Sequence, residues 1–187
     1  SVAVLVRSRS HLKTIVSSLK KSNLSYQAQD IDALIDRPVI QDLLSLTKAL
    51  QHLADRVAWL SLLRAPWCGL TLDDLTRLCS KSQRSTVWQL LTQPAGQIEM
   101  FEQVSTDGRK RLSRILPVLK RALQNSGKLS LRRLVESTWL SMNGPACVDA
   151  SDLVDAGQFF NLLEDLEMEG SLEVLEKRLS KLYAAPD

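Results

Sequence analysis

From Pro38 to Leu182 the apolar residues recur three and four apart, segment after segment, which places them on single faces of α-helices. Val39, Ile40, Leu43, Leu44, Thr47 and Leu50 form one such face, behind a proline suited to a helix's first turn. Asp55 is placed to cap a very apolar helix through Leu63 that includes Trp59. Thr71 caps the next, with Asp74 as the capping-box acid and Leu72, Leu75 and Leu78 as the buried set. Ser85 opens a short helix with Val87, Trp88 and Leu91. Pro94–Gly96 and Thr106–Gly108 read as turns.

The later segments follow the same rule. A basic helix is expected from Arg109 to Asn125, with Leu112, Ile115, Leu116, Leu119 and Leu123 inward and a kink at Pro117. Gly127 ends it, and Ser130 caps a helix through Leu140. An acidic helix holds Leu153, Phe159, Phe160, Leu163 and Leu166, and Gly170 stops it. The last helix carries Leu172, Leu175, Leu179 and Leu182.

The exception is the first stretch. Val2-Ala3-Val4-Leu5-Val6 is a continuous aliphatic run that reads as a buried strand, and Tyr26–Gln29 alternates like a short second one. Between them Leu12, Ile15, Val16 and Leu19 have helical spacing. One strand cannot form a sheet, so its partners are expected elsewhere, which suggests a fragment. The fold expected is therefore mainly α: a multi-helix domain, with one or two short N-terminal β-strands from an incomplete α/β domain.

Hydrophobic residues make up 44% of the chain and charged residues 24%, the balance of a folded chain rather than a disordered one. No run of eighteen apolar residues and no signal-peptide pattern is present, so a cytoplasmic protein is expected. Cys68, Cys79 and Cys147 are odd in number and widely spaced. They suggest neither a disulfide framework nor a zinc site, but small buried hydrophobes.

The net charge of +3 conceals two blocks. Arg109 to Arg133 holds nine Lys/Arg and no acid, and Asp149 to Glu176 holds nine Asp/Glu and no base. The basic block can meet phosphates; alternatively both blocks are solvated helix faces that face each other.

No Walker A loop, GxSxG or HExxH motif occurs. His11 and His52 have no sequence partners for catalysis, and the acidic block lacks a calcium-loop pattern. Two places carry more information. Val4-Leu5-Val6-Arg7-Ser8-Arg9-Ser10 empties a strand into an Arg/Ser turn, where a guanidinium can fork onto a phosphate or simply face solvent. In Arg64-Ala65-Pro66-Trp67-Cys68-Gly69-Leu70-Thr71, a glycine precedes a capped helix start. There a phosphate can approach bare N–H groups, or the loop is structural, with Asp73 and Asp74 repelling anions.

Taken together and in order, these segments resemble one stretch of the UvrD/Rep-like superfamily-one DNA helicases, in the RecB/AddA-like helicase–nuclease branch. Leu5-Val6-Arg7-Ser8 is similar to the Leu-Tyr-Arg-Ser motif that opens the second RecA-like domain, 2A. Leu24-Ser25-Tyr26 resembles its second strand, and Arg37-Pro38-Val39-Ile40-Gln41-Asp42 resembles an Arg-x-x-Ile-x-Asp segment. Cys68-Gly69-Leu70 stands where the inserted helical domain, 2B, has a Gly-Ile-Gly loop on duplex DNA. Leu182-Tyr183-Ala184-Ala185-Pro186-Asp187 resembles the approach to motif V.

The resemblance implies residues 1–36 as an incomplete piece of 2A and 37–187 as a 2B-like insertion domain. It implies Arg7 as a contact to the ATP γ-phosphate, with Val6 where a tyrosine often stacks on adenine. It also implies DNA-backbone contacts in the Gly69–Leu70–Thr71 loop. With neighbouring cations from the charge pattern, the candidate DNA contacts are Arg64, Gly69, Leu70, Thr71, Arg109, Lys110, Arg111 and Arg114. The implied partners are DNA, as duplex or duplex–single-strand junction, the rest of a parent helicase, and a partner subunit of a helicase–nuclease complex. No membrane partner is expected. The isolated chain is expected to be non-catalytic and free of metal and cofactor. The parent would use ATP and Mg, with or without an exonuclease domain. The alternative is a protein-interaction module that docks a partner through the acidic helices and does not bind DNA.

Overall fold

The computed structural model describes residues 33–80, 84–92, 104–169 and 172–183, together with a few positions before residue 23. Among the described residues there are eight α-helices: α1 (Pro38–Gln51), α2 (Arg56–Arg64), α3 (Leu72–Cys79), α4 (Val87–Thr92), α5 (Thr106–Asn125), α6 (Leu131–Ser141), α7 (Ala150–Glu169) and α8 (Leu172–Leu179). Short 3-10 turns at Leu34–Asp36 and Gly144–Cys147 complete them. The protein is mainly helical.

Helix α1 is the hub. Pro38 starts it at a position where the missing N–H costs nothing. Val39, Ile40, Leu43, Leu44, Leu46, Thr47, Ala49 and Leu50 are all buried. At 3.6 residues per turn these positions cover more than half the helix circumference, beyond the single stripe expected from the sequence. Leu46 and Ala49 face inward because α2, α6 and α7 all pack on α1. The Thr47 hydroxyl donates to the Leu43 carbonyl at 2.8 Å, so this buried polar group is satisfied within the helix.

Helix α2 starts at Asp55, whose carboxylate accepts from the Ala58 N–H at 2.9 Å. It packs on α3 and α4, while α6 lies between α5 and α7. Aromatic side chains cross these joints. Trp59 of α2 meets Trp88 of α4 at 5.4 Å between ring centroids. Trp67, from the loop after α2, meets Trp139 of α6 edge-on at 6.1 Å, and Trp139 meets Phe160 of α7 at 5.5 Å. Tilted and edge-on pairs at such distances add to the burial of the rings themselves.

The two ends of this helical unit meet. Ala33 and Tyr183 form an isolated antiparallel bridge, and the Leu34 N–H donates to the Leu182 carbonyl at 2.8 Å. Arg37, just inside that bridge, reaches the start of α7. It lies 3.2 Å from Asp152 and 3.1 Å from the fully buried Asp155, and it donates to the Ser151 hydroxyl.

Several sequence expectations change. Among the described residues no strand forms. Val4 and Val6 carry no strand pairing and Val4 is half exposed, against the expected buried strand. The rest of that run, Arg7 and Tyr26–Gln29 lie outside the described residues. The expected turn at Thr106–Gly108 is instead the first turn of α5, capped by Ser105, whose hydroxyl accepts from the Gly108 N–H. The cap of α4 is Thr86 rather than Ser85: Thr86 and Gln89 bond reciprocally, side chain to backbone N–H. Leu72 and Leu153, expected inside, are exposed: they lie on the outer sides of α3 and α7, where Asp74 and Asp155 take the inward positions.

Gly144 sits where only glycine fits. A Cβ there would fall on the Trp139 indole ring, and the preceding Asn143 already adopts a left-handed turn at φ 63°. Gly144→Ala is therefore expected to destabilise the fold by about 1–3 kcal/mol through overpacking, lowering the urea midpoint at unchanged m-value. A midpoint equal to that of the unsubstituted protein would contradict this packing.

Candidate nucleic-acid interface

The loop after α2 is built from its own backbone. The Cys68 and Gly69 N–H groups both donate to the Ala65 carbonyl, at 2.8 and 2.7 Å, and the Leu70 N–H donates to the Leu63 carbonyl at 3.0 Å. Gly69 takes φ +70°, a conformation that favours glycine. Trp67, Cys68 and Leu70 are buried beneath it. Of the residues expected to contact phosphate, Gly69 and Leu70 thus already use their N–H groups within the loop, and Leu70 serves as core. The loop is anchored rather than open.

Asp74 joins this loop to α5. It is buried, at 2% exposure. The Thr71 hydroxyl donates to it at 2.9 Å, while the Asp74 N–H donates back to Thr71 at 3.1 Å. Its carboxylate also accepts from the Ser105 N–H at 2.8 Å and the Ser105 hydroxyl at 3.1 Å. Burial pushes the carboxyl upward, but the bonds from Ser105 and Thr71 outweigh it and hold Asp74 below its usual pKa. One carboxylate therefore links the N-caps of α3 and α5, two helix ends whose dipoles favour negative charge. Gly108 allows the close approach, since a Cβ there would lie 2.6 Å from Val104 and 2.9 Å from the Asp74 carboxylate.

The start of α5 is in turn pressed onto the loop. The Arg111 guanidinium covers Gly69, where a Cβ would collide with it, and its Nε donates to Asp107 at 2.6 Å. Arg114 donates to the Trp67 carbonyl at 3.0 Å. Arg109 donates to the Thr106 hydroxyl at 3.2 Å, and Lys110 is exposed. Arg64 ends α2 just before the loop and is exposed, as is Thr71. The fold thus gathers Gly69, Leu70, Thr71, Arg111 and Arg114 into one place from segments some forty residues apart. Arg7 lies outside the described residues.

Two acids expected to repel phosphate are turned away from that task. Asp74 is occupied inside, and the exposed Asp73 pairs with Arg77 at 2.9 Å. The outer stripe of α5 consists of Lys110, Ser113, Arg114, Pro117, Lys120, Arg121 and Gln124, all exposed, opposite Gly108, Leu112, Ile115, Leu119 and Ala122 inside. From Lys110 onward it contains four cations and no acid, and the exposed Asp107 one turn earlier pairs with Arg111. Pro117 lies on this solvent side, where water can take the place of the missing N–H, and the helix runs on through it.

The acidic block is partly tied to cations elsewhere. Arg132 of α6 pairs with Glu136 at 3.3 Å and with Glu164 of α7, and Lys48 of α1 pairs with Glu176 at 2.6 Å. One end of the basic block therefore does face the acidic helix, while the α5 stripe does not share that contact. Sequence reasoning missed Ser105 and did not single out Lys120 and Arg121. Serine three residues before Gly108 is an N-cap spacing that signals the first. The others needed the helix phase set by the buried leucines.

Asp42 of α1 lies half-buried, and burial pushes its carboxyl up to about 6. Cys68, fully buried, has its thiol pushed up to about 12 by burial; Arg114 opposes this, and Asp42 and Cys147 reinforce it. Cys79 is partly exposed and Cys147 exposed, so the expectation of buried cysteines holds for Cys68 alone. Among the described residues no group of three or more His, Cys, Asp or Glu could hold a metal ion, and no helix is long and apolar enough to cross a membrane. No protein-family model, curated protein or solved structure matches the chain.

An acid whose folded pKa exceeds its unfolded value holds its proton more tightly when folded. Stability then falls as pH rises from about 4 through about 6, and the full penalty remains above that. Asp42→Asn is expected to stabilise the fold by about 1 kcal/mol at pH 7.5, after discounting for solvent screening, and to be nearly neutral at pH 4. Urea unfolding at both pH values measures this; equal effects at the two would contradict it.

Proposed function

We propose that this chain is a non-catalytic portion of an ATP-dependent DNA helicase of the UvrD/Rep-like class, RecB/AddA-like branch, in which the helical unit holds duplex DNA by its phosphates. The observation that carries the reading is the outer stripe of α5, four exposed cations without an acid, braced against the loop that resembles a DNA-contacting loop. The adjacency of Ala33 and Tyr183 also supports it. A domain inserted into another must leave and return at neighbouring points, and this unit does so.

Binding by such a surface is electrostatic and sequence-independent. With up to four phosphates neutralised, the log–log salt slope would be about −3.6, so affinity for a short hairpin duplex is expected to fall about a hundredfold between 50 and 200 mM salt. Fluorescence anisotropy across a salt series checks this. Binding no stronger at 50 mM than at 200 mM would remove the phosphate contact. A docking reading draws instead on Leu153 and Val154, exposed at the start of the acidic α7; absence of DNA binding at low salt would favour it.

The sequence has no phosphate loop, so the isolated chain is expected to turn over no ATP. In a parent enzyme Arg7 would place positive charge on the γ-phosphate, with Mg and the phosphate loop supplied by the remaining sequence. Arg7→Ala there is expected to lower ATP turnover by at least a hundredfold with the fold intact. Turnover by the pure chain, or near-normal turnover by that variant, would refute the assignment.

A further inference from the structure

The cations on the α5 stripe are not evenly spread. Lys110 and Arg114 stand near its start and Lys120 and Arg121 near its end, with only Pro117 exposed between the two pairs. Lys110 to Arg121 is eleven residues, close to three full turns, so these two point the same way, with Arg114 about 40° to one side of Lys110 and Lys120 about 80° to the other. At 1.5 Å per residue the midpoints of the pairs lie about 13 Å apart along the axis. A single strand followed lengthwise would be met by a cation on each turn. Two pairs with a neutral gap suit two separate lines of phosphate.

The major groove of B-form DNA is about 12 Å wide, bounded by a backbone on each side. We infer that α5 lies across the major groove of a DNA duplex, with Lys110 and Arg114 on one backbone and Lys120 and Arg121 on the other. The inference rests on the DNA-holding reading above and adds how the helix lies on the duplex and which residues meet each backbone. The neutral middle of the stripe spans the groove mouth without donors aimed at base edges, so sequence is not read. The stripe also has no aromatic residue. Trp59, Trp67 and Trp139 are all buried, so none of these three offers a platform to the bases of a single strand. Arg111 and the loop brace the near end of the helix. Arg114 serves both ends of this arrangement, donating to Trp67 while remaining exposed.

The experiment is anisotropy titration of the whole chain with a DNA hairpin, its single strand, and an RNA hairpin of matching sequence, each across a salt series. The variants are Lys120→Gln/Arg121→Gln and Lys110→Gln, with circular dichroism confirming folding. The double variant is expected to flatten the DNA-hairpin slope by about 1.8 and weaken binding at least tenfold at 100 mM salt, and Lys110→Gln to flatten it by about 0.9. The DNA hairpin is expected to bind at least tenfold tighter than either the single strand or the RNA hairpin, whose deep, narrow major groove does not match the spacing. If the unsubstituted chain binds no hairpin at 50 mM salt, the DNA-holding reading itself fails. If it binds but the double variant keeps the full slope, or RNA or single strand binds as tightly, that reading stands and the groove-crossing geometry is overturned.

Discussion

Burial of α1 over more than half its circumference is the constraint on which the other helices depend. A helix apolar on one stripe can be satisfied by one neighbour; α1 needs several. Helices α2, α6 and α7 supply them, and α5 and α8 attach to those in turn. Each leucine removed from water here contributes about 1.5–3 kcal/mol, and α1 carries four buried leucines beside Val39 and Ile40. Because α1 begins right after Arg37, the same burial pulls the Arg37 guanidinium onto the start of α7, where it balances the buried Asp155. A carboxylate removed from water is costly unless paired, so core packing and this ion pair stand or fall together.

The candidate interface is a consequence of that core. Trp67 inserts beside Trp139, which fixes the loop from below, and the loop then uses its own N–H groups to hold its shape. Asp74 carries the geometry onward by joining the caps of α3 and α5. A short chain of satisfied polar contacts thus sets the direction of α5, and the direction of α5 decides which cations face out. Electrostatics enters only at this last step. The basic and acidic blocks divide accordingly: Arg132 turns toward α7, while Lys120 and Arg121 remain exposed on the outer stripe of α5.

The separation of roles within one cluster of arginines follows from the same geometry. Arg111 covers Gly69 and pairs with Asp107, so its charge is largely spent on the loop. Arg114 divides between a carbonyl and solvent. Residues that look equivalent as a run of positive charge differ once each has a neighbour. The resemblance to a DNA-contacting loop therefore translates here into a buried brace, with the cations beside it as the available surface.

The helical pattern, the start of α1 at Pro38, and the caps at Asp55, Thr71 and Ser130 were legible in the residues themselves, because these depend on local spacing and local hydrogen bonds. The buried stripe of α1 and the Leu112, Ile115 and Leu119 stripe of α5 were legible for the same reason. The true starts of α4 and α5 were misplaced by one to three residues, since serine and threonine neighbours compete for the same cap. The exposure of Leu72 and Leu153, the burial of Leu46 and Ala49, and the meeting of Ala33 with Tyr183 could not be read locally. Nor could the choice of partner for Asp74, which by sequence was an ordinary capping acid and in space binds Ser105. Sequence determined which segments would be helices and which face each would bury, because periodicity is a property of neighbours in the chain. Only tertiary structure decided which charged groups were left for solvent, because that depends on which helices lie against one another.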